Sequence, residues 1–232
     1  MIKNIQHVII AVYIGILIPL NLLGHFLDES WMILISKPLL MPFLMVYFAL
    51  FKFKIAKSLN YAIIGALFFS WVGDVALLFE EYNSLLFIIG LGGFLIAHVH
   101  YIFVFLKVDV RSKVVQKLKW YAIPVFVIYT VGLVSLVWNY LGDLRIPVLI
   151  YALVLMFMAI TAVSRKGKRG YYLILTGAIL FVLSDSVLAI NKFYTPFEGA
   201  RILTMLTYTL AQLFIVLGLS KYIAKMRSYS NY

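Results

Sequence analysis

The amino-acid sequence predicts an all-α fold, a polytopic transmembrane bundle of eight helices, on three observations. First, 64% of the chain is hydrophobic and only 12% charged, with a mean hydropathy of +1.02. A soluble domain is about half apolar and about a quarter charged. Second, apolar runs of about 20 residues, the length needed to cross the hydrocarbon core, recur eight times. Third, the basic residues sort into alternate connections. The runs are continuous rather than alternating, which excludes a closed β-barrel.

The spans are expected near 8–27, 31–51, 58–79, 84–106, 119–138, 144–164, 170–190 and 200–223. Nearly every residue belongs to a span or a short connection, so residues 1–232 are expected to form a single transmembrane domain. The first run resembles a signal sequence, but it has no small-x-small cleavage site and is long enough to span, so a retained helix is expected. In the second, Pro38 and Pro42 each remove an intrahelical hydrogen bond, which predicts a kink and freed carbonyls beside Lys37. The third and seventh run in the same direction and carry related phrases, Gly73-Asp74-x-x-Leu77 and Ser184-Asp185-x-x-Leu188. This echo suggests a parallel four-helix repeat.

Lys3 precedes span one; Lys52, Lys54 and Lys57 follow span two. Lys107, Arg111, Lys113, Lys117 and Lys119 follow span four. Arg165, Lys166, Lys168 and Arg169 follow span six, and Lys221, Lys225 and Arg227 follow span eight. The opposite connections hold only Arg145, Lys192 and Arg201 among six acidic residues. The positive-inside rule therefore puts both termini in the cytoplasm. Topology and anionic lipid account for the net charge of +11, and no nucleic-acid partner is expected. The chain has no Cys, which rules out disulfides, thiolate nucleophiles and Cys-ligated metals.

Asp74 and Asp185 are the acidic residues in the middle of apolar stretches. A charged aspartate at a helix centre costs roughly 2.5–3.5 kcal/mol or more, so two in related phrases point to a joint use. At a rise of about 1.5 Å per residue, each lies about 9 Å below the non-cytoplasmic end of its span. Lys37 and Asn21 fall at a comparable depth. In span eight, Arg201, Thr204, Tyr208 and Gln212 follow an i, i+3, i+7, i+11 pattern on one face, and His98 and Tyr101 share a face of span four. Together these residues predict a cavity open to the outside and narrowing inward. Plainer roles exist for several of them. Lys37 could snorkel to the interface. Asn21, Ser70, Ser184 and Gln212 could be interhelical hydrogen-bonding glue, His98 a satisfied core histidine, and the aspartates ion-pair partners of Lys37 or Arg201.

His98 and His100, two apart on a helix, point to nearly opposite sides and do not chelate as an i, i+4 pair would. Ser70 and Ser184 lack a histidine at matching depth for a triad, and no Gly-rich phosphate loop is present. No metal and no cofactor is expected. Two carboxyls, with Lys37 or Arg201 favouring ionisation of one, supply a proton donor and a proton acceptor in one site. That chemistry suits acid-labile C–O bonds that cleave through an oxocarbenium-like cation, either a glycoside or a vinyl ether.

Five motifs, in order, resemble the YhhN-type lysoplasmalogenase family of eight-helix membrane proteins. They are Lys37-Pro38-Leu39, Ser70-x-x-Gly73-Asp74, Phe94-x-x-Ala97-His98-x-x-Tyr101, Phe181-x-x-Ser184-Asp185-x-x-Leu188-Ala189, and Arg201 followed by Thr207-Tyr208-x-x-Ala211-Gln212. The resemblance implies hydrolysis of the vinyl ether of a lysoplasmalogen (lysoplasmenylethanolamine or lysoplasmenylcholine) to a fatty aldehyde and a glycerophospho-base. It implies Asp74 and Asp185 as catalytic residues. Lys37, Arg201, His98, Tyr101, Tyr208, Gln212, Asn21 and Ser184 would then bind substrate, with a lysophospholipid and the surrounding membrane lipids as partners. Ser186, after the second aspartate, departs from the small residue or glycine expected there. The alternative is a transporter or lipid-binding receptor using the same cavity. An intramembrane aspartyl protease fits poorly, because Gly73 and Ser184 stand before the aspartates, and a metal-dependent lipid hydrolase is a further rival. The expected location is the cell membrane, as a multi-pass protein of the bacterial inner membrane.

Overall fold

A computed structural model describes residues 2–50, 57–107 and 118–228. Of the charges used for topology, Lys52, Lys54, Arg111, Lys113 and Lys117 lie outside the described residues, as do the side chains of Lys3, Lys57, Lys225 and Arg227. The fold is all-α. Among the described residues the long helices number eight: α1 (Asn4–Phe26), α2 (Ser30–Ala49), α3 (Lys57–Leu78), α4 (Ser84–Leu106), α5 (Ala122–Val137), α6 (Arg145–Ser164), α7 (Tyr171–Ala189) and α8 (Ala200–Ser228). All eight are long and apolar enough to cross a membrane. They coincide with the eight expected spans to within a few residues at most ends. The chain divides into two compact units, Met1–His100 and Tyr101–Tyr232, the division falling within α4.

In the first unit, α1 widens into a π turn over Tyr13–Leu17 before returning to α-helix at Ile18. Pro19 follows directly, and its missing N–H leaves the Gly15 carbonyl without its α-helical donor, so the register loosens there. A side chain at Gly24 would lie 2.9 Å from Met32 and Ile33, so glycine is what lets α1 and α2 cross closely. Higher up the same pair, Asn21 Nδ2 donates to Ser36 Oγ at 3.0 Å, and Ser36 Oγ donates to the Met32 carbonyl at 2.6 Å.

Helix α2 runs unbroken through Pro38 and Pro42. Pro42 has no N–H to offer the Pro38 carbonyl four residues earlier. That freed carbonyl accepts a hydrogen bond from Trp71 Nε1 of α3 at 3.0 Å. The proline thus creates a docking point for the helix that carries Asp74, three residues further on. Trp71→Phe should keep the ring packing but leave this carbonyl without its donor. The expected loss is about 1–3 kcal/mol, read as a lower thermal midpoint in detergent, whereas Trp71→Phe combined with Pro42→Ala should recover part of it.

Helices α3 and α4 meet through glycines. A side chain at Gly73 would come within 2.7 Å of the Phe94 ring, and one at Gly93 within 2.9 Å of the Phe69 carbonyl and 3.0 Å of the Gly73 nitrogen. Without a hydrophobic driving force between helices in lipid, such small residues are what allow backbones to approach and gain van der Waals contact.

The second unit uses the same device. A side chain at Gly177 of α7 would sit 2.8 Å from the Ala211 carbonyl, and one at Gly218 of α8 would sit 3.0 Å from the Gly170 carbonyl. Gly170 itself has φ +78°, in the left-handed region, and ends the α6–α7 turn against the Gly218 backbone. Helices α5 and α6 are joined by two short 3-10 turns (Trp138–Tyr140 and Gly142–Leu144). There Arg145 Nε donates to the Trp138 carbonyl at 3.3 Å and its guanidinium stacks over the indole at 5.6 Å. Pro124 and Pro147 fall in the first turns of α5 and α6, where an N–H has no intrahelical partner to lose.

Arg165, counted in the sequence as one of the loop charges that set topology, is 1% exposed. Its Nη1 reaches the carbonyls of Val104 (3.3 Å), Phe105 (3.1 Å) and Lys107 (3.3 Å), capping the C-terminal end of α4 where carbonyls lack donors and the dipole favours a cation. The guanidinium also lies over the Tyr222 ring at 4.3 Å. Burial lowers its pKa, and Tyr222 beside it opposes that shift. Arg165→Leu should strip the cap and cost about 1.5–3 kcal/mol, measurable as a lower unfolding midpoint. Arg165→Lys should recover little of it, since a point charge cannot both stack on the ring and cap the helix.

Candidate functional site

Asp74 stands on α3 four residues before its last residue, Leu78, and is 1% exposed. The residue before it, Gly73, is the point at which α3 touches Phe94. Lys37 is half-buried on α2, next to the Ser36 that holds Asn21. Asn21 Oδ1 is buried with no hydrogen-bond partner among the described residues. Asn21 therefore serves as the interhelical link foreseen in its plainer reading, with one acceptor still to be satisfied. His98 is fully buried on α4. His100, two residues on, covers Gly65, packs on the Phe69 ring at 5.6 Å and donates from Nδ1 to the Ile96 carbonyl at 2.8 Å. The two histidines face different surroundings, as the helical spacing requires.

Asp185 stands on α7 four residues before its last residue, Ala189, and is half-buried. Three successive side chains here are each tied to a different helix. Ser184 Oγ donates to the Thr204 carbonyl of α8 at 3.1 Å. Asp185 Oδ2 accepts the Tyr151 hydroxyl of α6 at 2.5 Å. Ser186 Oγ accepts the Tyr129 hydroxyl of α5 at 2.8 Å and donates to its own Val182 carbonyl at 2.6 Å. A glycine at 186 would lose one of these links, which gives the unexpected serine a structural reason.

Below this point the α8 stripe comes into use. The Tyr208 ring meets Phe181 edge-on at 5.5 Å, and Gln212 Oε1 accepts the Tyr101 hydroxyl at 2.5 Å, with both side chains fully buried. Arg201, at the start of α8, is exposed, so the stripe runs from a charged open end to a sealed polar pair.

The second unit thus brings together Tyr101 with Gln212, and Ser184 with the α8 stripe. Sequence reasoning did not single out Tyr151 or Tyr129. Their signal was depth. Tyr151 is six residues into α6 and Tyr129 seven into α5, about 9–10 Å in, where a tyrosine hydroxyl needs a partner rather than an interface.

Comparison with known proteins bears on this arrangement. The chain is 34% identical to the protein named lysoplasmalogenase TMEM86B of Sus scrofa over 157 residues, covering 68% of this chain and 62% of that one. It is 33% identical to the Homo sapiens protein of the same name over 156 residues, covering 66% and 61%. It is 29% identical to a lysoplasmalogenase of Mycobacterium tuberculosis over 158 residues, covering 67% and 59%. The matches therefore span about three fifths of these relatives' own length. No solved structure matches. The YhhN family profile matches residues 32–219, a stretch that includes both aspartates, all but the first two residues of α2, and α3 to α7 entire. On that match, the chain belongs to the YhhN family.

Proposed function

We propose that this protein hydrolyses the vinyl ether of a lysoplasmalogen, releasing a fatty aldehyde and a glycerophospho-base, with Asp74 and Asp185 as its acid/base pair. The observation that carries the reading is the family match across residues 32–219, with both membrane aspartates inside it. The names of the relatives support a lysoplasmalogen as the substrate class.

The chemistry follows from the bond. One carboxylic acid delivers its proton to the alkene carbon β to the ether oxygen, leaving an oxocarbenium cation at the α carbon. A water molecule adds there while the other aspartate takes the water's proton. The hemiacetal then collapses: its hydroxyl proton returns to the first aspartate, the C–O bond to the glycerol breaks, and the second aspartate protonates the departing oxygen. Both carboxyl groups end as they began, and one water is consumed. Proton transfer by positioned groups of this kind contributes typically 10²–10⁴-fold.

Lys37 and Arg201 hold the phosphate of the head group or favour the ionised aspartate. His98, Tyr101, Tyr208, Gln212, Asn21 and Ser184 line the polar part of the site, and the alkenyl chain lies among apolar helix surfaces, entered from the lipid. The protein works as a single domain in the cell membrane, the bacterial inner membrane, with both termini cytoplasmic. The related phrases around Asp74 and Asp185 and the glycine-packed pairs α3–α4 and α7–α8 support a parallel four-helix repeat. Purified protein in detergent, incubated with a lysoplasmenylethanolamine, should release free aldehyde together with glycerophosphoethanolamine. Flux into proteoliposomes with no product formed would instead favour a transporter.

A further inference from the structure

We infer that Tyr151 is a positioning residue for Asp185, holding its Oδ2 so that Oδ1 faces the reaction as the proton acceptor. This rests on the acid/base reading above and assigns the roles within it: Asp185 takes the proton from water, and Asp74 delivers the proton to the alkene carbon.

Three observations carry it. The Tyr151 hydroxyl donates to Asp185 Oδ2 at 2.5 Å, across from α6 to α7. A phenol offers one proton, so it engages one carboxylate oxygen and leaves the other. No further hydrogen bond to Asp185 occurs among the described residues, and Asp185 is half-buried rather than sealed, so Oδ1 is open to an incoming group. Finally, the neighbours on either side are anchored. Ser184 is bonded to the Thr204 carbonyl, and Ser186 to Tyr129 and the Val182 carbonyl. The backbone around Asp185 is thereby held, and the rotation of its carboxylate is what Tyr151 is left to set. A base presented by one fixed oxygen serves both proton transfers at the second carboxyl, accepting from water at addition and returning the proton to the ether oxygen at collapse.

The Tyr129–Ser186 bond supplies an internal comparison. It too is a tyrosine hydroxyl bonded to α7, one residue away, but its partner carries no chemistry. Tyr151→Phe should lower kcat about tenfold or more, the scale of a hydrogen bond to a charged group, with KM within about twofold. Tyr129→Phe should lower it less than about threefold. Thermal unfolding of Tyr151→Phe, Asp185→Ala and the double variant should be non-additive, the double falling no further than Asp185→Ala alone.

Equal losses of kcat in Tyr151→Phe and Tyr129→Phe would mean that a loosened α7 explains both, and would overturn the positioning role. A rise in KM with kcat unchanged, or additive unfolding, would overturn it as well. A wild-type protein that releases no aldehyde would defeat the reaction itself and this role with it, an outcome distinct from the others because it appears before any substitution is made.

Discussion

Asp74→Asn and Asp185→Asn should each lower kcat by roughly 10²–10⁴-fold on a vinyl-ether lysolipid, with the protein still folded in detergent. Asparagine keeps the volume and an acceptor oxygen, so the Tyr151 hydroxyl retains a partner at 185. What is lost is the exchangeable proton at one position and the basic oxygen at the other. Because the two groups act in one sequence of proton transfers, the double variant should be little worse than the poorer single one. The measurement is aldehyde release under saturating substrate, paired with a thermal melt to show that the variants are folded. Full turnover in both would remove the aspartates from the chemistry.

Gly170→Ala should be the most damaging single methyl in the second unit, costing about 2–5 kcal/mol. Two terms add. The residue has φ +78°, where an L side chain costs about 1–2 kcal/mol. Its Cβ would also lie 2.1 Å from the Gly218 carbonyl oxygen, and backbone cannot step aside as a side chain can, which adds about 1–3 kcal/mol of overpacking. Gly142→Ala separates the terms: its φ is +51° but nothing lies within 4 Å of the new methyl, so only the conformational cost applies. A collapse of folded yield for Gly170→Ala beside a modest drop for Gly142→Ala is the expected pattern. Similar midpoints for the two would contradict close backbone packing of α7 on α8.

The parts of this fold that were legible in the sequence are those set by solvent. Twenty-residue apolar runs are the response of a chain to a hydrocarbon layer, and all eight emerge as helices. The freed carbonyl beside Lys37 was readable from Pro42, because a missing N–H at one position always orphans the carbonyl four residues earlier. That Trp71 would claim it was not readable, since the partner depends on how α2 packs on α3. The same limit hid Tyr151. Its depth marked it as a side chain needing a bond, but only the approach of α6 to α7 identifies Asp185 as the acceptor. Arg165 has a role that its position in the sequence did not reveal. By position it reads as one more cytoplasmic charge, yet the turn after α6 folds it inward onto the end of α4. Composition cannot distinguish a charge that orients a helix in the membrane from one that caps its neighbour.

The central claim is the reaction, and mass spectrometry of lipids after incubation with the purified protein tests it most directly. With a lysoplasmenylethanolamine as substrate, the account predicts a free long-chain aldehyde appearing in equal amount with glycerophosphoethanolamine, and both products formed at least about 10²-fold more slowly by the Asp74→Asn, Asp185→Asn double variant. Release of a fatty acid from an acyl lysolipid with the vinyl ether left intact would contradict it.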